Sequence, residues 1–439
     1  MASSSAGTRS RTLDVFRGAS VALMILVNNP GSWNHLYPPL AHAPWHGCTA
    51  TDLVFPFFLT AVGLSLALVM PRFQTGPPAH FWARWARRGV LIFAIGLALN
   101  SITLWRFEGA ALVLKDGVAL RYMGVLQRIA LAWMLAAALL WLWRVVLRVG
   151  AGTGQVEGGP GASSLRAPLW LAASLLLAYW AMCEAWGQPG QVYSLEGHFG
   201  TAIDRAWLGP AHLYQGEGAP FDPEGLASTL PAVAQVLLGV AIGQWLQPVL
   251  LGQASAAERR QRVVALMVWA TVALATAHLW SLAMPINKKL WTSPYVLHTT
   301  GLAMLTLGAL LHWLEGEKPT PAARPTGAGG AALRAVQGGW QSLAQALASA
   351  AESFGKNALA IFVLSGLVPR LLAFARWPDG VDAQGEPRYI HALGWVHSHV
   401  FEPLANDPRL GSLLMALANL AAYWAVARWM QRRGWFLKL

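Results

Sequence analysis

The sequence is poor in charged residues. Asp, Glu, Lys and Arg together make up 12% of its 439 residues, whereas a soluble domain carries about 25%. Hydrophobic residues reach 55%. Because so few charges cannot cover the surface of an ordinary globular domain, the composition predicts an integral membrane protein.

Cysteine and acidic residues are also scarce. The two cysteines, Cys48 and Cys183, are too few for a disulfide framework or a zinc spacing, and whether they pair stays open. Acidic residues number 20 against 32 Lys and Arg, which gives a net charge of +12. These cations lie in short segments between apolar runs, so they indicate membrane topology and contact with anionic lipid and not a nucleic-acid partner.

Long apolar runs are abundant. Ten of them approach the length of about 20 residues that crosses a bilayer as a helix. We therefore predict an all-α integral membrane protein, a bundle of about ten transmembrane helices in one domain over 1–439. The predicted spans are 13–28, 50–70, 88–105, 121–143, 166–186, 228–248, 262–283, 292–313, 354–375 and 410–430.

Lys and Arg are distributed unevenly between the segments that connect these spans. With the N-terminus in the cytoplasm, the inner segments hold 21 of them, the outer segments hold 10, and Arg128 lies within a span. The first outer loop, 28–50, has none. This excess predicts that both termini are cytoplasmic. The inner segments at about 150–165 and 315–340 are rich in Gly, Ala and Pro, which is typical of flexible linkers.

The densest group of reactive side chains lies between the first two spans. Asn28, His42, His46 and Asp52 fall within 25 positions. Histidine can take up and return a proton near neutral pH, and an Asn amide can stabilise an oxyanion. Acyl transfer to an amine needs both kinds of group. The alternative is an interfacial loop that bonds to water and lipid headgroups.

A metal site is another interpretation of the same loop. His42 and His46 are four residues apart and Asp52 is near, a spacing that would put two imidazoles on one face of a helix. Pro44 lies between them and argues against a helix there. We therefore expect no metal.

Two further pairs of polar or charged residues lie within predicted spans. Asp14 and Arg17 are three residues apart at the inner end of the first span, where they can form an ion pair that sets topology or anchors a phosphate-bearing donor. Gln127 and Arg128 lie inside the fourth span. A charge at that depth usually faces a cavity or a partner, although an Arg can also reach the interface.

Charged residues in the outer loops suggest ligand contacts. Asp222 and Glu224 flank a proline before the sixth span, where they could cap the helix or bind the hydroxyls or amine of a sugar. Lys288 and Lys289 precede the eighth span. Paired lysines on the outer side oppose the charge rule and indicate an anionic ligand or a lipid phosphate.

Eight short motifs, in order along nearly the whole chain, resemble the heparan-α-glucosaminide N-acetyltransferase family of transmembrane acyltransferases, and bacterial members most of all. They are LDVFRG at 13–18, VN at 27–28, HAPWHG at 42–47, TDLVFPF at 51–57, GVLQR at 124–128, FDPEG at 221–225, PINKKLW at 285–291 and FGKNAL at 354–359.

The resemblance implies an enzyme that takes an acetyl group from cytoplasmic acetyl-CoA and delivers it to the amine of a glucosamine-type sugar on the outer side. It maps the family's active histidine onto His42 and its partner asparagine onto Asn28. His46 stands where the lysosomal member has Asn, which gives a second candidate base, and Asp52 supports the site. We expect no counterpart of the lumenal domain and extra helix that precede the first motif in the lysosomal member.

The same resemblance distributes the remaining candidate residues between the two substrates. The acceptor sugar would contact Trp45, Gln127, Arg128, Asp222, Glu224 and Lys288. Acetyl-CoA would be bound by Asp14, Arg17, Arg87, Arg88 and Asn357. Membrane lipids are the other expected partners, the location is the bacterial inner membrane, and a homodimer is left open.

Several alternatives stay open at this point. They are the identity of the acceptor, the choice between His42 and His46 as base, and the choice between direct transfer and an acetyl-histidine intermediate. The alternative function is an amino-sugar or oligosaccharide transporter, which would also place a charge such as Arg128 within a span.

Overall fold

The computed structural model describes residues 10–74, 78–108, 111–115, 119–150, 162–315, 328–381, 385 and 387–437. Helices dominate this part of the chain, and four short strands form two antiparallel hairpins, β1–β2 and β3–β4. The elements are α1 (Arg11–Asn28), α2 (Val54–Gln74), α3 (Pro78–Ile102), β1 (Trp105–Glu108), β2 (Ala111–Leu114), α4 (Val125–Gly150), α5 (Ala162–Trp186), α6 (Phe199–Leu208), α7 (Thr229–Leu250), α8 (Ala256–Trp280), α9 (Ser293–Glu315), α10 (Ala328–Lys356), α11 (Ala358–Leu372), β3 (Arg376–Val381), β4 (Pro387–His391), α12 (Ala392–Val396) and α13 (Pro408–Arg432).

Nine of the ten predicted spans each overlap a single α-helix, whereas 354–375 covers the end of α10, the turn at Asn357 and α11. Among the described residues, eight helices are long and apolar enough to cross a membrane, namely α2, α3, α4, α5, α7, α8, α9 and α13. The bent pair α10–α11 adds a ninth if it forms one span. α1 differs because its 18 residues carry three charges, on Arg11, Asp14 and Arg17. The chain is thus a multi-pass membrane protein, and the count of ten spans stays a prediction.

Two features depart from the sequence prediction. The all-α prediction missed the two hairpins, whose four- to six-residue strands are too short to give a clear alternating pattern. Residues 151–161 of the first predicted inner linker and 316–327 of the second lie outside the described residues. The described part of the second one, 328–340, belongs to helix α10 and is therefore not a flexible coil.

One end of the bundle, here called the site face, collects the loops that follow α1, α3, α5, α8 and α11. Tyr295 at the start of α9 donates to the backbone oxygen of Asp52 at the start of α2, at 2.6 Å. Asn100 at the end of α3 donates to the backbone oxygen of Met123 just before α4, at 3.1 Å. These bonds hold together helix ends that the alternating topology places on the same side.

The opposite face is closed by other contacts between helix ends. The Thr12 hydroxyl at the start of α1 donates to the Glu315 carboxylate at the end of α9. Arg262 near the start of α8 donates to the backbone oxygen of Trp245 near the end of α7. With the site face at one end and this face at the other, the up-and-down order predicted from the hydropathy pattern is consistent with the packing.

The chain turns by 83° between α10 and α11. Asn357 at the turn has a non-helical φ of −128°, and its side chain is used to fix the chain end. Its Nδ2 donates to the Trp435 oxygen at 2.9 Å, and its Oδ1 accepts from the Leu437 amide at 3.1 Å. Because both polar atoms are engaged within the chain, the structure supports a local role for Asn357, and its predicted contact with the donor stays a prediction.

Helices α2 and α7 approach each other backbone to backbone. A Cβ built on Gly63 would lie 2.1 Å from the Val236 oxygen, and one built on Gly239 would lie 2.5 Å from the Thr60 oxygen. Small residues allow such close contact, which replaces the hydrophobic driving force that lipid does not supply. This contact fixes α2, and Asp52 lies in the short 3-10 turn, Thr51–Leu53, that directly precedes it.

We expect Gly63→Val to destabilise the protein by about 1–3 kcal/mol or more, because the new side chain has no space and must separate α2 from α7. Thermal unfolding of the detergent-solubilised protein measures the effect. Gly339→Ala in α10 is the matched control, since a Cβ there meets no atom within 4 Å. Equal melting temperatures for Gly63→Val and the wild type would contradict this account of the contact.

Candidate active site

His42 and Asp52 form a close pair on the site face. The His42 Nδ1 lies 2.6 Å from the Asp52 Oδ1, and Asp52 is 1% exposed whereas the His42 side chain is 41% exposed. A carboxylate can only accept a hydrogen bond, so the partner fixes the proton on Nδ1. The Nε2 atom of His42 then keeps its lone pair, as a general base requires.

The loop before α2 folds around the same carboxylate. The Asp52 Oδ2 accepts from the backbone amides of Ala43 at 3.1 Å and Thr49 at 2.9 Å and from the Thr49 hydroxyl at 3.1 Å. The segment 42–46 is not helical, as Pro44 predicts. In the described part of the chain, no three His, Cys, Asp or Glu residues are grouped so that they could hold a metal ion.

His46 has a different environment from His42. Its Nδ1 faces the Asn287 Nδ2 at 3.2 Å, and the neighbouring Gly47 amide donates to the Ile286 oxygen at 2.8 Å. Burial lowers the pKa of His46. An amide partner does not stabilise an imidazolium as a carboxylate does, so the geometry favours His42 over His46 as the base.

The loop between α8 and α9 brings Lys288 against His42. The Lys288 Nζ lies 3.4 Å from both ring nitrogens of His42. Burial lowers the pKa of Lys288, while the carboxylates of Glu224 and Asp52 act in the opposite direction. Lys288, which lies in the motif 285–291, is therefore adjacent to His42 in the structure, as expected if both belong to one site.

Lys289 points elsewhere although it is the next residue. Its Nζ donates to the Pro44 oxygen at 2.8 Å and pairs with Glu217. It also lies 5.6 Å from the ring centre of Trp45. Trp45 in turn donates from its Nε1 to the Tyr193 oxygen at 2.8 Å. Lys289 therefore ties three loops of the site face together.

The carboxylates predicted to bind a sugar are engaged by an arginine. Arg121 donates from Nε and Nη2 to both oxygens of Asp222, at 2.8 and 2.6 Å, and from Nη2 to Glu224 at 2.6 Å. Sequence analysis gave Arg121 no role, because its partners lie about 100 positions away and no local pattern links them. Asp222 and Glu224 are thus held in place by Arg121. The carboxylate of Glu224 also lies near enough to the Lys288 ammonium for their charges to attract.

Arg128 is fully buried, as a charge within a span predicts. Its Nη2 donates to the Gly225 oxygen at 3.1 Å and bonds to the Ser228 hydroxyl, and its guanidinium lies 5.1 Å from the ring centre of Trp291. Its Nε and Nη1 have no hydrogen-bond partner among the described residues. Arg128 therefore holds the start of α7 against the loop that carries Lys288.

Two cavities of about 620 Å³ each open on the site face. The first is lined by Asn28, Gln127 and Arg121, among others. Within the described chain, the Gln127 Nε2 in its wall has no hydrogen-bond partner. The second is lined by Trp45 and His46. Both residues of the predicted pair Asn28–His42 lie in described segments, and the structure gives no hydrogen bond between them.

The residues predicted to bind the donor lie toward the opposite face. Asp14 and Arg17 form the predicted ion pair. Arg88 lies 5.0 Å from the ring centre of Trp133 and near enough to Arg17 for their charges to repel. Its buried Nε has no hydrogen-bond partner in the segments that the structure describes. Arg87 is exposed. Two neighbouring guanidiniums, one with an unpaired donor, fit a phosphate-bearing ligand.

Comparison with known proteins agrees with the motifs. Residues 9–154 match the family model described as heparan-alpha-glucosaminide N-acetyltransferase, catalytic. The chain is 26% identical over 336 residues to the Homo sapiens heparan-alpha-glucosaminide N-acetyltransferase, covering 68% of this chain and 48% of the relative. The Mus musculus protein of that name is 26% identical over 324 residues, covering 66% and 47%. The chain spans about half the length of these curated relatives, and the predicted resemblance is confirmed.

The buried carboxyl group of Asp204 predicts that the stability of the protein depends on pH. Asp204 is 3% exposed and its Oδ1 accepts from the Leu226 amide at 2.8 Å. Burial raises the pKa of Asp204 from 3.8 to about 7. As pH rises from about 4 to about 7, the unfolded chain loses this proton before the folded chain does, so the free energy of unfolding falls.

We expect Asp204→Asn to flatten this part of the stability profile, because the amide oxygen still accepts from Leu226 and no longer titrates. Denaturation midpoints of both proteins between pH 4 and pH 8 measure it. The same decline with pH in variant and wild type would show that Asp204 is not the group responsible.

Proposed function

Since the chain is a relative of the heparan-α-glucosaminide N-acetyltransferase family, we propose that it is a transmembrane acetyltransferase. The donor is acetyl-CoA, which enters from the cytoplasm. The acceptor is the amine of a glucosamine-type sugar on the other side of the membrane. The site face is then the exterior face, and the membrane is the bacterial inner membrane with both termini of the chain in the cytoplasm.

The observation that carries this proposal is the His42–Asp52 pair, which lies within the matched residues 9–154. An ammonium group is not nucleophilic, so transfer to an amine needs a base that removes a proton. His42 offers its Nε2 on the site face, and Asp52 stabilises the imidazolium that forms, as in the Ser-His-Asp arrangement of hydrolases. His46 has no carboxylate partner in the described residues and is assigned to loop structure.

The opposite face supplies the charges that a donor with phosphates requires. Arg17 and Arg88 lie there together, and the unpaired buried Nε of Arg88 favours an anionic ligand. Asp14 orients Arg17 through their ion pair. Arg87 adds an exposed cation on the same helix. We assign this group to the nucleotide end of the donor, with the acetyl end reaching His42.

The acceptor is assigned to the polar surface around His42. Trp45 offers an aromatic ring beside a cavity of about 620 Å³, and the flat face of a pyranose suits such a ring. Arg121 holds Asp222 and Glu224 in place, and Glu224 faces Lys288 beside His42. Carboxylate oxygens can accept hydrogen bonds from the hydroxyl or ammonium groups of an amino sugar.

We expect His42→Gln to lower kcat for acetyl transfer by about 10²-fold or more, because the base that Asp52 orients is removed. The assay is purified protein with acetyl-CoA and a panel of amino sugars, with product mass as the readout. His46→Gln is the matched control and should retain far more activity. Full activity of His42→Gln would remove His42 from the mechanism.

Two related measurements separate the alternatives. Acetyl-labelled donor without acceptor should leave label on the protein if an acetyl-histidine forms, and none if transfer is direct. Uptake of amino sugar into proteoliposomes without acetyl-CoA, together with no product in the assay, would favour the transporter hypothesis.

We expect Trp33→Cys to react with a membrane-impermeant maleimide from outside intact cells, because Trp33 is 63% exposed on the site face. The native thiols should react little, since Cys183 is buried and burial raises the pKa of Cys48 to about 12. Gln253→Cys, in the exposed loop between α7 and α8, should react only after permeabilisation. The reverse pattern would place the His42 loop in the cytoplasm and exclude the proposed reaction.

A further inference from the structure

The ammonium group of Lys288 is placed unusually with respect to His42. Equal distances of 3.4 Å to Nδ1 and Nε2 mean that Nζ faces the ring between the two nitrogens and is not aligned with the lone pair of Nε2. In the described part of the chain, Lys288 also makes no hydrogen bond to a carboxylate. Its donors therefore remain available to a ligand held at His42 Nε2.

The loop that carries Lys288 is built to hold this position. The Asn287 side chain is fully buried, and its Oδ1 accepts from the Leu290 amide at 2.8 Å. The Thr292 hydroxyl accepts from the Asn287 amide at 3.0 Å. Trp291 has a φ of +55°, the one positive φ of a non-glycine residue in the described chain. Such strain persists only where the surrounding structure enforces it, and it concentrates at functional sites.

An acyl transfer also needs a donor for the oxygen of the carbonyl group. When an amine attacks a thioester, negative charge develops on that oxygen, and a preorganised donor stabilises it. Asn28 was the sequence-based candidate, but it lies in the wall of a cavity that His42 does not line. A carbonyl carbon that receives a nucleophile beside His42 Nε2 lies next to Lys288 instead.

We propose that Lys288 is a catalytic residue of the acetyl transfer, whose ammonium group donates a hydrogen bond to the oxyanion of the tetrahedral intermediate. This inference rests on the proposed function and extends it by one group. The acceptor nitrogen forms a bond to the carbonyl carbon while the C=O electron pair moves onto oxygen beside Lys288. His42 Nε2 takes the amine proton. The C=O bond re-forms, the C–S bond breaks, and the proton passes from His42 to the departing sulfur.

Lys288 does not serve as an acetyl carrier. An acetyl group on its nitrogen would be an amide, as stable as the amide product, and could not be passed on to a sugar amine under the same conditions. An acetyl group on a histidine is an activated species by contrast. The oxyanion role therefore fits both the direct scheme and a scheme with an acetyl-histidine.

The surrounding charges keep an ammonium at this position. The charged groups that face Lys288 are the carboxylates of Asp52, Glu224 and Glu217 and the ammonium of Lys289, together with the imidazole of His42. Two of these carboxylates, on Asp52 and Glu224, attract the charge most directly. The negative groups outnumber the positive ones, which partly offsets the burial that lowers the pKa of Lys288.

The decisive experiment compares Lys288→Met and Lys288→Arg in the assay with acetyl-CoA and an amino sugar. We expect Lys288→Met to lower kcat by about 10²–10³-fold, the usual loss for one oxyanion donor, with KM for acetyl-CoA changed by less than about threefold. Lys288→Arg keeps a cationic donor and should retain more activity. A Lys288→Met variant with an unchanged kcat, or with only a raised KM, would overturn the inference.

The pH profile supplies an independent readout. The acceptor amine acts in its deprotonated form, so its loss of a proton raises kcat with pH. The Lys288 ammonium is lost at high pH, and burial moves this loss to lower pH than for a free lysine. We expect a fall of kcat at the alkaline end for the wild type and no such fall for Lys288→Arg. An identical alkaline fall in both proteins would contradict the proposal.

Two controls separate this inference from other causes. Lys289→Met removes the neighbouring ammonium, which holds Pro44 and Glu217, and should lower the melting temperature more than kcat. Equal losses of kcat in Lys288→Met and Lys289→Met would assign the effect to the loop as a whole and overturn the role of Lys288. A wild-type protein without transfer to any amino sugar would contradict the proposed function itself and not only this residue.

Discussion

The site depends on one buried carboxylate. Asp52 orients His42 through one oxygen and accepts three hydrogen bonds from Ala43 and Thr49 through the other, while its backbone oxygen accepts from Tyr295. It thereby joins the first loop, the start of α2 and the start of α9. A buried carboxylate is stable only when its lone pairs are satisfied. The loop geometry that presents His42 is thus the same geometry that makes burial of Asp52 acceptable.

Most of the helical architecture could be predicted from the sequence, because a span in lipid must satisfy its own backbone and so appears as an uninterrupted apolar run. The predicted span 228–248 matches α7 to within two residues at each end. The hairpins and the sharp turn at Asn357 could not be predicted in this way. They depend on contacts with distant segments, such as the bonds from Asn357 to the chain end.

The candidate site was predictable where its members are close in sequence. His42 and Asp52 are ten positions apart, and their pairing follows from a short loop. The pairing of Arg121 with Asp222 and the contact of Lys288 with His42 span 101 and 246 positions. A single sequence shows that such residues are unusual for their location, as it does for Lys288, but it does not show which of them meet.

The glycine contact between α2 and α7 limits where a molecule could pass through the helix bundle. At Gly63 and Gly239 the two backbones lie too close for a chain of atoms to pass between them, and separating the helices there would break the contact that fixes α2. A long, thin molecule that crosses this protein must therefore travel along a seam where helices meet through side chains, which can change rotamer and let it pass.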